Sequence, residues 1–207
     1  MKPISLGVAI LAAGQSRRMG TPKLLLPWGK MTVLGHLLKR WQALGVEQIA
    51  VICGAGDSAI QAELDRNNFS REQRIINPEP ERGMFSSIQC AARWLDWKPG
   101  LTHWAITLGD QPQVREETLL ALLDFARVNE NKICQPRRSG RGRHPVVLPT
   151  FVFDALKNVS AEDLKQFLKI FSGDMAGFES DDAGLDLDLD TPEDYQRAMA
   201  ENFPTKS

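Results

Sequence analysis

The chain has only three cysteines in 207 residues, Cys53, Cys90 and Cys134, and no two stand at C-x-x-C spacing. Three thiols cannot all pair, so neither a disulfide framework nor a cysteine zinc site organises the fold. Cys53 follows the apolar run Ile49–Ile52 and reads as a small core residue. No apolar stretch has the length of a membrane span. The formal net charge is −1, so the excess of one sign that marks binding to nucleic acid or to an anionic membrane is missing too. Neither is expected as a partner. A signal peptide is superficially imitated by Lys2, the apolar run after it and Ala12-Ala13-Gly14. Cleavage there would remove the first strand and orphan the cationic stretch that follows, so a cytoplasmic protein is expected. Two common phosphate motifs are also absent. The Gly14 to Gly20 interval is too long for G-x-x-x-x-G-K-[ST], with Lys23 beyond it, and G-x-G-x-x-G does not occur.

What is present is an ordinary balance of 43% hydrophobic and 25% charged residues, which suits one well-cored domain rather than two. Leu6–Leu11, Gln48–Cys53 and Trp104–Leu108 read as buried strands. Val33–Leu44, Asp57–Asn67, Ser86–Leu95 and Glu116–Val128 carry apolar residues at helical spacing. This alternation predicts an α/β fold, a single three-layer domain whose mostly parallel central sheet is covered by helices. The domain is expected over residues 1–203, with a frayed tail at 204–207. Further on, Lys132–Gln135 and Pro145–Leu148 look like short strands around an Arg/Gly loop, and Ala161–Phe171 is amphipathic. Asp186–Asp190 reads as a strand with its three aspartates on one face, leading into a helix that begins at Pro192.

Immediately after the first strand stands Leu11-Ala12-Ala13-Gly14-Gln15-Ser16-Arg17-Arg18-Met19-Gly20-Thr21-Pro22-Lys23. Ala12, Ala13 and Gly14 keep side chains clear, so backbone N–H groups can approach an anion closely. Arg17, Arg18 and Lys23 add cationic donors, arginine for bidentate phosphate contact and lysine as a movable point charge. Later, Leu108-Gly109-Asp110-Gln111-Pro112 places a carboxylate at the C-terminal end of a predicted strand, where open α/β sheets hold ligands. Mg²⁺ takes one or two carboxylates plus substrate phosphates, so Asp110 reads as a metal ligand, with Asp190 as its partner and Asp188 as the rival. The alternative for this last segment is a solvated edge, with Asp190 or Thr191 capping the final helix. Gly83-Met84-Phe85-Ser86-Ser87 reads as a loop opening a helix, its N–H groups and hydroxyls turned to a ligand. His144 has no histidine or cysteine partner at ligand spacing, so metal binding is not expected of it.

The stretch L-A-A-G-x-S-x-R-M-G-x-x-K resembles the opening signature of the nucleotidyltransferases that act on molybdenum cofactor, in its cytidylyltransferase form. That resemblance implies a fold of the nucleotide-diphospho-sugar transferase type and transfer of a nucleotide with release of pyrophosphate. It implies a nucleotide site at Leu11, Ala12, Ala13, Gly14, Ser16, Arg18, Lys23 and Gly109. Arg18, Lys23 and Asp110 would be catalytic, and Asp110 and Asp190 would hold Mg²⁺. D-L-D-T-P-E-D-Y is similar to the family's closing motif, which ranks Asp190 above Asp188. N-P-x-x-x-x-G-M-x-x-S-I and G-R-H-P-V resemble acceptor-side segments, implying acceptor contacts from Asn77, Gly83, Met84, Ser86, Ser87 and His144. Arg143 stands where the family more often has glycine. Ser172-Gly173-Asp174-Met175-Ala176-Gly177 departs from the family's G-D-x-G-A-R by losing a glycine and the arginine.

The expected substrates are a nucleoside triphosphate, CTP by the L-A-A-G form, and molybdopterin cofactor, with a molybdenum hydroxylase or its chaperone as partner. The alternatives are GTP use, another phosphorylated acceptor, or a non-catalytic nucleotide-binding accessory protein for molybdoenzyme maturation.

Overall fold

Uncharged runs become the central strands of the computed structural model, which describes residues 4–14, 16 and 18–204. Leu6–Leu11 forms β1. Pro27–Trp28 (β2) and Met31–Thr32 (β3) make a separate antiparallel ribbon that leads into Val33–Ala43 (α1). Then come Gln48–Gly54 (β4), Ser58–Arg66 (α2), Arg74–Asn77 (β5) and Met84–Arg93 (α3). His103–Leu108 (β6), Glu116–Val128 (α4), Ile133–Arg138 (β7), Arg141–Gly142 (β8) and Val146–Pro149 (β9) follow. The chain closes with Thr150–Ala155 (α5), Leu164–Lys169 (α6), Met175–Glu179 (β10) and Pro192–Asn202 (α7).

The main sheet has the order β10-β7-β9-β6-β1-β4-β5, with β8 paired to β7. β6, β1, β4 and β5 run parallel, and β10 is parallel to β7. Only β9 and the short β8 run against their neighbours. The ends of β1, β4, β5, β6 and β7 therefore open on one edge of the sheet, and the chain order reverses between β1 and β6. Successive residues of a strand face opposite sides, and the two cores follow that rule. Val8, Ile10, Val51 and Cys53 pack under α1, α2, α4 and α7. Ala9, Ala50, Ile52 and Ile106 pack under α3, α5 and α6. This is the three-layer arrangement expected from the α/β alternation. Among the described residues no helix is long and apolar enough to cross a membrane.

The structure departs from or adds to the sequence reading at four places. Asp186–Asp190 is not a strand: a 3-10 turn covers Ala183–Asp186, and the backbone N–H of Leu189 bonds the carbonyl of Asp110 at 3.1 Å instead of a ladder neighbour. The alternation survives, with Leu187 and Leu189 buried and Asp186 and Asp188 exposed. Residues 172–174 form a 3-10 turn, and Met175–Glu179 is an edge strand that the sequence reading does not anticipate. Its side chains are only half-buried, which left no apolar signal to read. Finally, α3 starts at Met84, so Ser86 and Ser87 lie within its first turn, and only Leu164–Lys169 of the stretch 161–171 is α-helical.

Candidate functional site

At the strand-end edge lies a cleft of about 690 Å³. It is lined by Leu11, Ala13, Gly14, Ser16, Arg18 and Lys23 from the loop after β1, and by Gly109 and Asp110 from the end of β6. Gly83, Met84 and Ser87 contribute from the start of α3, and Asp188 and Asp190 from the segment before α7. Segments far apart in sequence meet here because their strands are neighbours in the sheet.

The loop after β1 is shaped by its backbone. The N–H of Ala12 bonds Ile52 at 2.8 Å, and the Ala12 side chain is fully buried, so it faces the core rather than the cleft. Ser16 has φ 47, a left-handed turn. Its Oγ accepts the N–H of Lys23 at 3.1 Å, and its carbonyl accepts that of Met19 at 3.1 Å. This closes the loop on itself and brings Lys23 back over the strand end. Gln15 and Arg17 lie outside the described residues.

Lys23 is the electrostatic centre. Its Nζ donates to the carboxylate of Asp110 and to Oδ1 of Asp190 at 3.0 Å, while Arg18 donates to Oδ2 of Asp190 at 2.6 Å. Burial works against the Lys23 charge, but Asp110 and then Asp190 outweigh it and hold the ammonium above its ordinary value. Burial also works against the Asp190 charge, yet Lys23 and Arg18 keep its carboxyl below the usual range. Asp188 goes the other way: burial, then the Asp110 carboxylate, push it up. Gly109 permits this geometry because a Cβ there would lie 2.5 Å from the Leu11 carbonyl oxygen.

The two aspartate-bearing segments are stitched together by groups that sequence reasoning missed. Gln111 Nε2 donates to Asp188 at 2.8 Å. Gln113 Nε2 donates to the carbonyls of Gly184, at 2.9 Å, and Leu187. Asp182, 2% exposed, accepts the N–H of Arg115 at 2.8 Å, the hydroxyl of Thr118 at 2.7 Å and the N–H of Gly184 at 2.9 Å. From below, the Arg40 guanidinium donates to the carbonyls of Pro112, at 2.9 Å, and Val114. The one available signal was the density of amide and carboxylate side chains around G-D-Q-P-Q. Capping of α7 falls to Thr191, in a capping box with Asp194, which leaves Asp190 free to face the cleft.

On the opposite wall the structure divides the six residues read as acceptor contacts. Gly83, Met84 and Ser87 line the cleft. Asn77 and Ser86 are buried and face each other: Asn77 Nδ2 donates to Ser86 Oγ at 2.8 Å and Ser87 Oγ at 2.9 Å. Ser86 Oγ in turn donates to the Gly83 carbonyl at 2.8 Å, so this network shapes the wall from behind. His144 does not line the cleft either. Its Nδ1 lies 3.3 Å from the Ile106 carbonyl oxygen, and burial pushes its pKa down.

Asp110 and Asp190 both reach one ammonium group, so both carboxylates can converge on a single cation. Hard oxygen donors, limited to two carboxylates with room left for phosphate oxygens, fit Mg²⁺ or Mn²⁺. No cluster of three or more His, Cys, Asp or Glu side chains able to hold a metal by itself occurs among the described residues.

The chain is similar in sequence and fold to known proteins. The molybdenum cofactor cytidylyltransferase of Escherichia coli is 26% identical over 187 residues, covering 90% of this chain and 91% of that protein. The crystal structure of Rv0371c from Mycobacterium tuberculosis superposes with a TM-score of 0.73 at 29% identity, over 96% of this chain and 98% of that one. A manganese complex of Rv0371c gives 0.69 at 28% identity, over 94% and 97%. Residues 8–176 match the MobA-like NTP transferase domain, and with most of its length inside that match the chain is a nucleotidyltransferase of the MobA-like NTP transferase family.

Proposed function

We propose that this enzyme transfers CMP from CTP to the phosphate of molybdopterin cofactor, releasing pyrophosphate, with Mg²⁺ as its metal. The observation that carries the reading is the meeting of Lys23, Asp110 and Asp190 in one cleft, beside a loop whose backbone faces that cleft. The relative named for cytidylyl transfer to molybdenum cofactor, alike over nine-tenths of both chains, supports the choice of base and acceptor.

The chemistry is in-line displacement: an acceptor phosphate oxygen bonds the α-phosphorus as the bond to the pyrophosphate oxygen breaks. Little covalent help is needed, so positioning and charge carry the catalysis. The loop after β1 would cradle the triphosphate through the backbone N–H groups of Ala13, Gly14 and Ser16, which line the cleft. Lys23 and Arg18 meet the negative charge that grows on the leaving pyrophosphate. Asp110 and Asp190 would hold the metal, which when bound supplies Lewis-acid neutralisation of the α-phosphate. Gly83, Met84 and Ser87 form the facing wall, with Asn77 and Ser86 holding that wall in place.

Thermal melting against CTP, GTP, ATP and UTP, each with and without Mg²⁺, tests the nucleotide reading. A ligand at about a hundred times its Kd adds roughly 2.7 kcal/mol. A selective, Mg²⁺-dependent CTP shift is expected; a selective GTP shift would overturn the base, and no shift with any nucleotide would overturn the site.

A further inference from the structure

The two cations read as phosphate ligands and the two carboxylates read as metal ligands are bonded to each other. Lys23 Nζ donates to Asp110 and to Asp190 Oδ1 at 3.0 Å, so one ammonium group joins both carboxylates. Arg18 takes the other oxygen of Asp190, Oδ2, at 2.6 Å. The third aspartate of the cleft, Asp188, accepts from Gln111 instead, at 2.8 Å. The Lys23 contacts are sheltered: its side chain is 13% exposed, with 18% for Asp110 and 29% for Asp190, whereas Arg18 is 70% exposed.

The local chain fixes where the Lys23 side chain starts but not where its ammonium ends. The Lys23 N–H is held by Ser16 Oγ at 3.1 Å, its carbonyl accepts the N–H of Leu26 at 3.3 Å, and Leu24 beside it is buried. Movement is therefore left to the four-carbon stem, which is flexible and carries a compact point charge. Two carboxylates side by side repel unless a cation lies between them. The ammonium supplies that cation, at the place where the metal reading puts a divalent ion, and the place cannot hold both. A metal ion alone would evict a sheltered ammonium and leave it without a partner. A triphosphate supplies the replacement partner.

We propose that Lys23 is an exchangeable internal cation that keeps the Asp110–Asp190 pair closed to a divalent ion until a triphosphate draws the ammonium away. This rests on the reading of those aspartates as the metal pair, and adds the coupling they impose. The ion and the nucleotide enter together, each raising the affinity of the other by the same factor. Arg18 contributes less to the closure, because solvent screens it.

The test is binding of Mn²⁺ to the whole protein with no nucleotide or acceptor present, followed by the electron paramagnetic resonance signal of the free ion. The wild type is expected to bind weakly. Lys23→Met should bind about ten-fold tighter or more, a gain within the usual range of coupling between sites, and Lys23→Gln should do the same. Lys23→Arg, which keeps a cation, should stay near wild type. The gain should vanish in Lys23→Met/Asp110→Asn, which places the ion at the aspartate pair. Melting curves confirm that each variant folds. Equal Mn²⁺ affinity in wild type, Lys23→Met and Lys23→Gln, at a site that Asp110→Asn removes, would overturn the closure and leave the metal pair standing. A Mn²⁺ site removed by Asp110→Asn in none of these proteins would overturn the metal reading, and the closure with it.

Discussion

Asp182 is the sharpest place to test how the site is held. It is not in the cleft, yet its carboxylate gathers the start of α4 and the Ala183–Asp186 turn through the Arg115 and Gly184 N–H groups and the Thr118 hydroxyl. Asp182→Ala would leave two backbone donors without a partner, while the hydroxyl can rotate. At about 1–3 kcal/mol for each orphaned buried donor, a loss of about 4 kcal/mol is expected. The ion pair with the half-exposed Arg115, at 3.5 Å, adds little to this because solvent screens it. For a domain of this size that loss lowers the melting temperature by roughly 8–16 °C. Asp182→Asn keeps one acceptor oxygen and should fall between. Turnover should drop with it, since Gly184–Asp190 would lose its anchor to the Asp110 loop. The assay is thermal melting followed by urea denaturation at neutral pH. An Asp182→Ala protein that melts within about 2 °C of wild type would refute this reasoning.

Gly109→Ala puts a methyl group against the Leu11 carbonyl at 2.5 Å, so β1 and β6 must part at the site; activity should be lost, and wild-type turnover would count against the close approach. Lys23→Ala should weaken triphosphate binding in equilibrium titration, and unchanged affinity would remove Lys23 from the nucleotide site. Asp110→Asn should cost several decades in turnover with the fold intact, since pre-organised charge is the main catalytic device; near-normal turnover would remove Asp110 from the metal site. Burial, followed by the Arg40 guanidinium, pushes His36 down from 6.5 to about 4. The unfolded chain then binds more protons than the folded one between those values, so His36 lowers stability as pH falls from 6.5 towards 4. In urea titrations His36→Gln should flatten that part of the pH profile, and an unchanged slope would argue against it.

The parts of the fold legible in the sequence are those where burial and period agree. Leu6–Leu11 and Glu116–Val128 are read residue for residue, because a strand buried on both faces is continuously apolar and a surface helix repeats its apolar stripe. Arg74–Asn77 and Met175–Glu179 pass unread because an edge strand with polar or small side chains carries neither pattern. At the site, the loop after β1 and Asp110 are visible because small residues, cationic side chains and a carboxylate directly follow apolar strands, and Asp190 is visible through the resemblance of its closing motif. Asn77, Ser86 and His144 stand in similarly suggestive motifs, but Asn77 and Ser86 bond neighbouring protein groups and His144 turns Nδ1 to the Ile106 carbonyl. Asp182, Gln113 and Arg40 were invisible for the opposite reason: their partners are mostly backbone groups more than 60 residues away, which no local pattern records.

The central claim is nucleotide transfer onto molybdopterin cofactor, and it is tested most directly by mass spectrometry of the product. Purified protein, Mg²⁺ and molybdenum cofactor would be incubated with CTP or with GTP, and pyrophosphate counted in parallel. The account predicts a cofactor adduct heavier by CMP, one pyrophosphate for each adduct, none with Asp110→Asn and little with GTP. Pyrophosphate release without a cofactor adduct, or an adduct formed only from GTP, would contradict it.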